Sequence, residues 1–262
     1  MSTITLCCNF KDEEKNAEAV YNCVKSVINE WVVVDSGSTD STIEICRSLG
    51  ARVYQITHPM FVGGYGGMRT LTAHLARSKW VLILDGDERI LPADVKKFGM
   101  MCESNHDLIW LPRQHYRAFD MSIVETRDGG LLTKPSAEEQ IANLGSHPDW
   151  QPRFFRNLPN VGFERMVHER PSGFQNPLLH MGSPVIRHFG FLKTEARLKS
   201  IAGMCEELWQ VDQQFKDTYI NEAKVGHAMS SPHWQEWYKK KKSMKASEES
   251  EEYLKYWKVE SE

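Results

Sequence analysis

The chain has 262 residues, 41% of them hydrophobic and 26% charged, with a net charge of -3. This is the balance of a globular protein with a well-buried core, and the charge argues against a globally basic nucleic-acid binder while leaving room for a local basic groove. The first ten residues lack the basic and long apolar regions of a signal peptide, and no apolar run nears the roughly 20 residues that span a bilayer, so the expectation is a soluble, cytoplasmic chain, at most peripheral to a membrane.

The first half alternates strands and helices. Ile4 to Cys8 suits a buried strand, and Glu13 to Ile28 places Ala17, Val20, Val24, Val27 and Ile28 at helical spacing. The β-branched run Trp31 to Val34 ends at Asp35, and Ser36-Gly37-Ser38-Thr39-Asp40 follows, with Ser38 or Thr39 placed to cap the next helix. Ile43, Cys46 and Leu49 mark one face of that helix, which Gly50 ends. Arg52 to Ile56 reads as a third strand. After it come a glycine loop, Gly63-Gly64-Tyr65-Gly66-Gly67, read as flexible, and a helix through Leu71 and Leu75. Trp80 to Leu84 is the fourth strand, and Pro92 fits the first turn of another helix.

This alternation implies an α/β fold with a mostly parallel sheet and helices on both faces. Ligands of such sheets bind beyond the carboxyl ends of the strands, where the polar clusters after Cys8, Val34 and Leu84 all fall. From Leu108 the pattern is irregular, with short strands expected at Leu108 to Pro112, Pro152 to Arg156 and Met166 to His168, and a mobile loop or lid over 127–150. The chain turns helical and polar from Thr194. The organisation reads as an alternating strand–helix half (1–112), an irregular second half of the same domain (113–193), and a helical extension (194–262). The six cysteines form no CxxC pair and no zinc-spaced cluster, which fits a reducing compartment.

Two segments carry chemistry. Asp85-Gly86-Asp87 ends an apolar strand on a tight turn, and two carboxylates so spaced can address one hard cation and its oxygens. Mg²⁺ and Mn²⁺ are held by one or two carboxylates plus substrate phosphates. Asp35 can accept a hydrogen bond from a base N–H or a ribose hydroxyl at its strand end. The glycine loop is neither a P-loop nor a GxGxxG fingerprint; it is read as lying near a diphosphate, with Tyr65 toward a sugar. Tryptophans 150, 209, 234 and 237 could stack on an acceptor sugar, though core or interface roles fit them better. The Lys239 to Lys242 run reads as a solvated helix end.

KDEEKNAEAVYNCVKSV, EWVVVDSGSTDSTIEICRSLGARVYQ, the glycine loop with Arg69, SKWVLILDGDERI, QPRFFRN, MVHE and VIRHFGF together resemble the inverting family 2 glycosyltransferases. Within them the chain is most similar to the subgroup of lipopolysaccharide-core glucosyltransferases. The resemblance implies a GT-A fold, a nucleotide-diphosphate sugar donor (a UDP-sugar favoured) and Mn²⁺ or Mg²⁺. It also implies that Asp35 contacts the base with Glu13 nearby, that Arg69 sits beside the base or diphosphate, and that Asp85 meets the ribose or the metal and its hydration shell. Asp87 would ligate the metal, with His188 as a candidate further ligand. Glu169 best matches the base that deprotonates the acceptor, and His168 is the alternative.

The chain departs from the usual family pattern at Asp12 and Ser36, where members carry Asn and a second Asp. The acceptor stays open among a glycan, a lipid-linked glycan and a modified nucleic acid. Two other readings are weighed: a sugar-phosphate nucleotidyltransferase, whose glycine-rich loop is missing after the first strand, and a non-catalytic binding module on the same scaffold.

Overall fold

The apolar runs of the first half build the middle of one sheet. In the computed structural model, which describes residues 2–115, 149–180, 182–189 and 195–214, strands β1 (Ile4–Phe10), β2 (Glu30–Asp35), β3 (Arg52–Gln55) and β4 (Trp80–Ile83) pair in parallel in the order β3-β2-β1-β4. The sheet continues through β7 (Asp149–Arg156), β6 (Leu108–His115), β11 (Ile186–His188) and β5 (Glu88–Ile90), with β10 (Pro177–Leu179) also on β6. β7 runs antiparallel between β4 and β6, and β11 is antiparallel to β5. The fold is thus α/β, with a mixed but mostly parallel central sheet. A separate hairpin joins β8 (Gly162–Glu164) to β9 (Arg170–Ser172).

Alternation along the strands decides which helices cover which face. Leu6 and Cys8 of β1 face a core shared with Ala17, Val20 and Val24 of α1 (Ala17–Val24) and Cys46 of α2 (Thr42–Ser48). Cys7, one residue out of phase, faces a second core with Ala73 of α3 (Gly64–Leu75) and Phe155 of β7. On the first face Phe154 stacks on Trp80 at 4.7 Å and meets Phe98 edge-on at 5.0 Å. Phe98 belongs to α5 (Lys97–Met101), which follows the short α4 (Pro92–Val95). All six cysteines are free thiols.

Several expectations are corrected. The Met166 to His168 segment is a loop between β8 and β9, because Arg165 and His168 adopt left-handed backbone (φ 75 and 53) that no strand accommodates. Neither Ser38 nor Thr39 caps α2; the amide of Thr42 donates to Asp40 Oδ1 at 3.0 Å. The glycine run is no flexible loop but the first turn of α3, entered through Gly63 at φ 85. The helix expected over Glu13 to Ile28 begins only at Ala17, in α1, because residues 12–14 knit onto the following crossover instead.

Polar residues from 194 onward form α6 (Glu195–Gln214), whose Leu208 is fully buried with Met166 and Val167. Among the described residues no helix is long and apolar enough to cross a membrane. The side chain of Trp209, and Trp234, Trp237, Lys239 to Lys242 and residues 127–148, lie outside the described residues. Trp150 is in β7, where its indole N–H donates to the His180 carbonyl at 3.0 Å.

Candidate functional site

The carboxyl ends of β1 and β4 and the N-terminal half of α3 enclose a cleft of about 270 Å³, closed on one side by α6. Glu13, Arg69, Asp85, Asp87, Glu169 and His188 all line it. Asp35 and His168 do not.

The rim is rigid because two crossovers hydrogen-bond each other. The amides of Asp12, Glu13 and Glu14 donate to Ser38 Oγ (2.8 Å), Thr42 Oγ1 (2.7 Å) and Asp40 Oδ2 (3.1 Å). In return the amides of Thr39 and Ser41 donate to Asp12 Oδ1 (2.8 Å) and Glu14 Oε2 (3.2 Å). This lacing explains most of the Ser36 to Asp40 motif. Asp35, expected to contact the base, is fully buried behind this rim and accepts from the amides of Gly37 (3.0 Å) and Ser38 (2.9 Å) and from the Ser38 hydroxyl. Its carboxylate holds its own turn, as aspartates at turn starts do. The neighbouring Ser36 lines the cleft in its stead.

Asp85 is gripped from both sides. Arg69 donates to it through both terminal nitrogens, at 2.9 and 3.0 Å, and Arg153 donates to Oδ2 at 2.5 Å. Burial disfavours its charged form, yet Arg153 and Arg69 hold its carboxyl far below the usual range. Arg153 also reaches the fully buried Glu88 at 3.0 Å, which Arg113 meets at 3.3 Å. Arg69 uses its Nε on Glu169 Oε1 at 2.8 Å. Three carboxylates (Asp85, Glu88, Glu169) are thereby balanced by three guanidiniums (Arg69, Arg153, Arg113). These contacts occupy both Asp85 oxygens with three guanidinium donors, so Asp85 is the more committed of the two carboxylates on this turn.

The other carboxylate, Asp87, is brought beside His188 by β11. Its pairing sets His188 opposite Glu88 in β5, the amide of Phe189 donates to the Asp87 carbonyl at 2.8 Å, and His188 Nε2 stands 3.6 Å from Asp87 Oδ1. An imidazole and a carboxylate side by side in a cleft fit a divalent cation that takes its remaining ligands from phosphate oxygens and water. No cluster of three or more metal-ligating side chains occurs among the described residues. Gly86 between the carboxylates leaves room for the Glu13 side chain, whose Cδ would stand 2.5 Å from a Cβ there.

Glu169 reaches the cleft from the loop between β8 and β9 rather than from a strand. Burial alone would raise its carboxyl, but the Arg69 charge and hydrogen bonding bring it below the ordinary glutamate value. His168 beside it is exposed, off the cleft, and in left-handed backbone. Met166 and Arg165 of this loop accept from the amides of Tyr65 (2.8 Å) and Gly66 (3.2 Å), which satisfies donors that open the α3 helix. Only glycine allows this approach, because a Cβ on Gly66 would lie 2.3 Å from the Arg165 carbonyl oxygen. Gly66→Ala is expected to lower unfolding free energy by about 1–2 kcal/mol in urea titrations, overpacking outweighing the helix propensity gained. An unchanged midpoint would mean that the Arg165 segment gives way freely.

Arg153 and Glu88 carry much of the site's charge and were given no role from sequence. A signal existed for Arg153, an arginine between Pro152 and Phe154-Phe155 in an otherwise apolar strand, since such a cation must find a buried partner. The α6 wall, with Met204 accepting from the Tyr65 hydroxyl at 3.2 Å, had no comparable signal.

Comparison with known proteins gives one family: the one described as glycosyl transferase family 2 matches residues 5–166. A TPR repeat-containing protein of Synechococcus elongatus is 24% identical, covering 84% of this chain and 51% of that protein. An uncharacterized glycosyltransferase of Rickettsia bellii is 38% identical over 80 residues, 30% of this chain and 26% of its own length. The chain therefore spans about half or less of the curated relatives it matches. Among solved structures, the glucosyl-3-phosphoglycerate synthase of Mycobacterium tuberculosis, in complex with Mn²⁺, UDP and glucosyl-3-phosphoglycerate, is 23% identical. It covers 44% of each chain, with a TM-score of 0.36.

Proposed function

The chain belongs to glycosyl transferase family 2, and from that premise we propose that it is a metal-dependent, inverting transferase moving a sugar from a nucleotide-diphosphate donor to an acceptor hydroxyl. The observation that carries this reading is one cleft lined by the Asp87–His188 pair and by the Glu169 carboxylate. Inverting transfer needs those two functions on opposite sides of one anomeric carbon.

In this reading Asp87 and His188 would hold Mn²⁺ or Mg²⁺, and such an ion would supply positive charge to neutralise a leaving diphosphate. Glu169 takes the proton of the acceptor hydroxyl as its oxygen bonds to the anomeric carbon. The bond to the diphosphate breaks with its electrons on the leaving oxygen. Glu13, steadied by the Asn16 amide at 2.5 Å, lies on the nucleotide side, and Tyr65 faces the sugar. Resemblance to the lipopolysaccharide-core subgroup makes UDP-glucose the first donor to try. Glycans and lipid-linked glycans are the first acceptors, with a modified nucleic acid after them.

Calorimetric titration of UDP, GDP, CDP and dTDP, each with Mn²⁺ and with chelator, tests the reading. One nucleotide should bind with Mn²⁺ and lose at least about tenfold in affinity, roughly 1.4 kcal/mol, on chelation. Binding of none under either condition would overturn the transferase assignment.

A further inference from the structure

We infer that Arg69 is a positioning residue that couples the Asp85-Gly86-Asp87 turn to the base Glu169, and is not a ligand of the donor. The inference rests on the transferase reading above, and it starts from how the guanidinium is spent. Nε is on Glu169, both terminal nitrogens are on Asp85, and the residue is only 8% exposed. A planar fork can address two carboxylates at fixed angles, which a point-charge ammonium cannot.

Each end of this bridge is anchored. Asp85 is fixed by Arg153 and by its own amide, which donates to Glu88 Oε2 at 3.1 Å, and both Arg153 (3% exposed) and Glu88 (0%) are sealed in the sheet. Glu169 hangs on a loop without strand pairing, and that loop is tied to the same helix as Arg69 through the amides of Tyr65 and Gly66. The Arg69 contact to Oε1 therefore sets the rotation of the Glu169 carboxylate, and with it the oxygen presented to the cleft.

The test uses the full chain and the nucleotide sugar that it hydrolyses fastest among UDP-glucose, UDP-galactose, UDP-N-acetylglucosamine, GDP-mannose and dTDP-glucose, with water as acceptor and nucleotide release as readout. Arg69→Met and Arg69→Lys should each lower kcat about 10²-fold, the lower end of what a general base contributes. Donor KM and the calorimetric nucleotide affinity should stay within about threefold. In a Glu169→Gln background neither substitution should cost more than about twofold further, because residues acting through one group are not additive. If Arg69→Met fails to fold, Arg69→Lys, which keeps the charge, decides alone. Affinity weakened tenfold or more, or losses that multiply in the double variants, would overturn the inference and make Arg69 a donor ligand or an independent contributor. A wild-type chain that neither binds nor hydrolyses any of these compounds overturns the transferase reading first, and the inference falls with it.

Discussion

Asp87→Asn is expected to lower metal-dependent turnover about a thousandfold or more while leaving the fold intact. Three carboxylates around the cleft already answer to Arg69, Arg153 and Arg113, whereas Asp87 stands 3.6 Å from His188. Asparagine keeps the shape but removes the charge that attracts a divalent cation, and Lewis-acid stabilisation of a leaving diphosphate is worth several kcal/mol. Nucleotide release across a Mn²⁺ titration, with circular dichroism as the folding control, gives the result. Wild-type rates in the variant would remove the metal assignment from Asp87.

Glu169→Gln should bind the donor as wild type does and lose transfer by about 10²–10⁴-fold, the range for removing a positioned base. The Arg69 charge beside it gives this carboxylate a second, pH-dependent signature. Its folded value lies below the ordinary one of about 4.3, so the basic form persists to more acidic pH than in a free glutamate. The stability that this pairing contributes is present above the unfolded value and is lost as pH falls through the folded one. Wild-type transfer should therefore show no acid limb from this group above about pH 4.3. A glutamine variant that transfers normally would place the base on His168 or on another carboxylate.

The central strands were legible because β1, β2 and β4 are continuous apolar runs buried on both faces, which only a parallel sheet between helices accommodates. The acidic turn after β4 was legible for the same reason, since position at a strand's carboxyl end is a property of order along the chain. The remaining strands were harder. β5, β10 and β11 have three residues each, too short for any periodicity, and they exist because neighbours in space supply their hydrogen bonds. Asp35 was ambiguous for a chemical reason. A carboxylate at a strand end serves a ligand or its own turn equally well, and in the structure it accepts from the Gly37 and Ser38 amides of its turn. The glycine run read as looseness, although its missing side chains are what let α3 press against the Arg165–Met166 backbone.

The pairing of β11 with β5 also orders events during synthesis. Asp87 leaves the ribosome about a hundred residues before His188, so on the proposed reading the acidic turn would have only half of its cation-binding pair until the later strand docks. A nascent chain is thus poorly equipped to capture a divalent ion while its hydrophobic strands are still collapsing. Closure over so long a separation adds little entropic cost beyond that of a shorter loop, since the penalty grows only with the logarithm of length. The proposed cation site would then be a late product of assembly, completed by the three-residue pairing of β11 with β5.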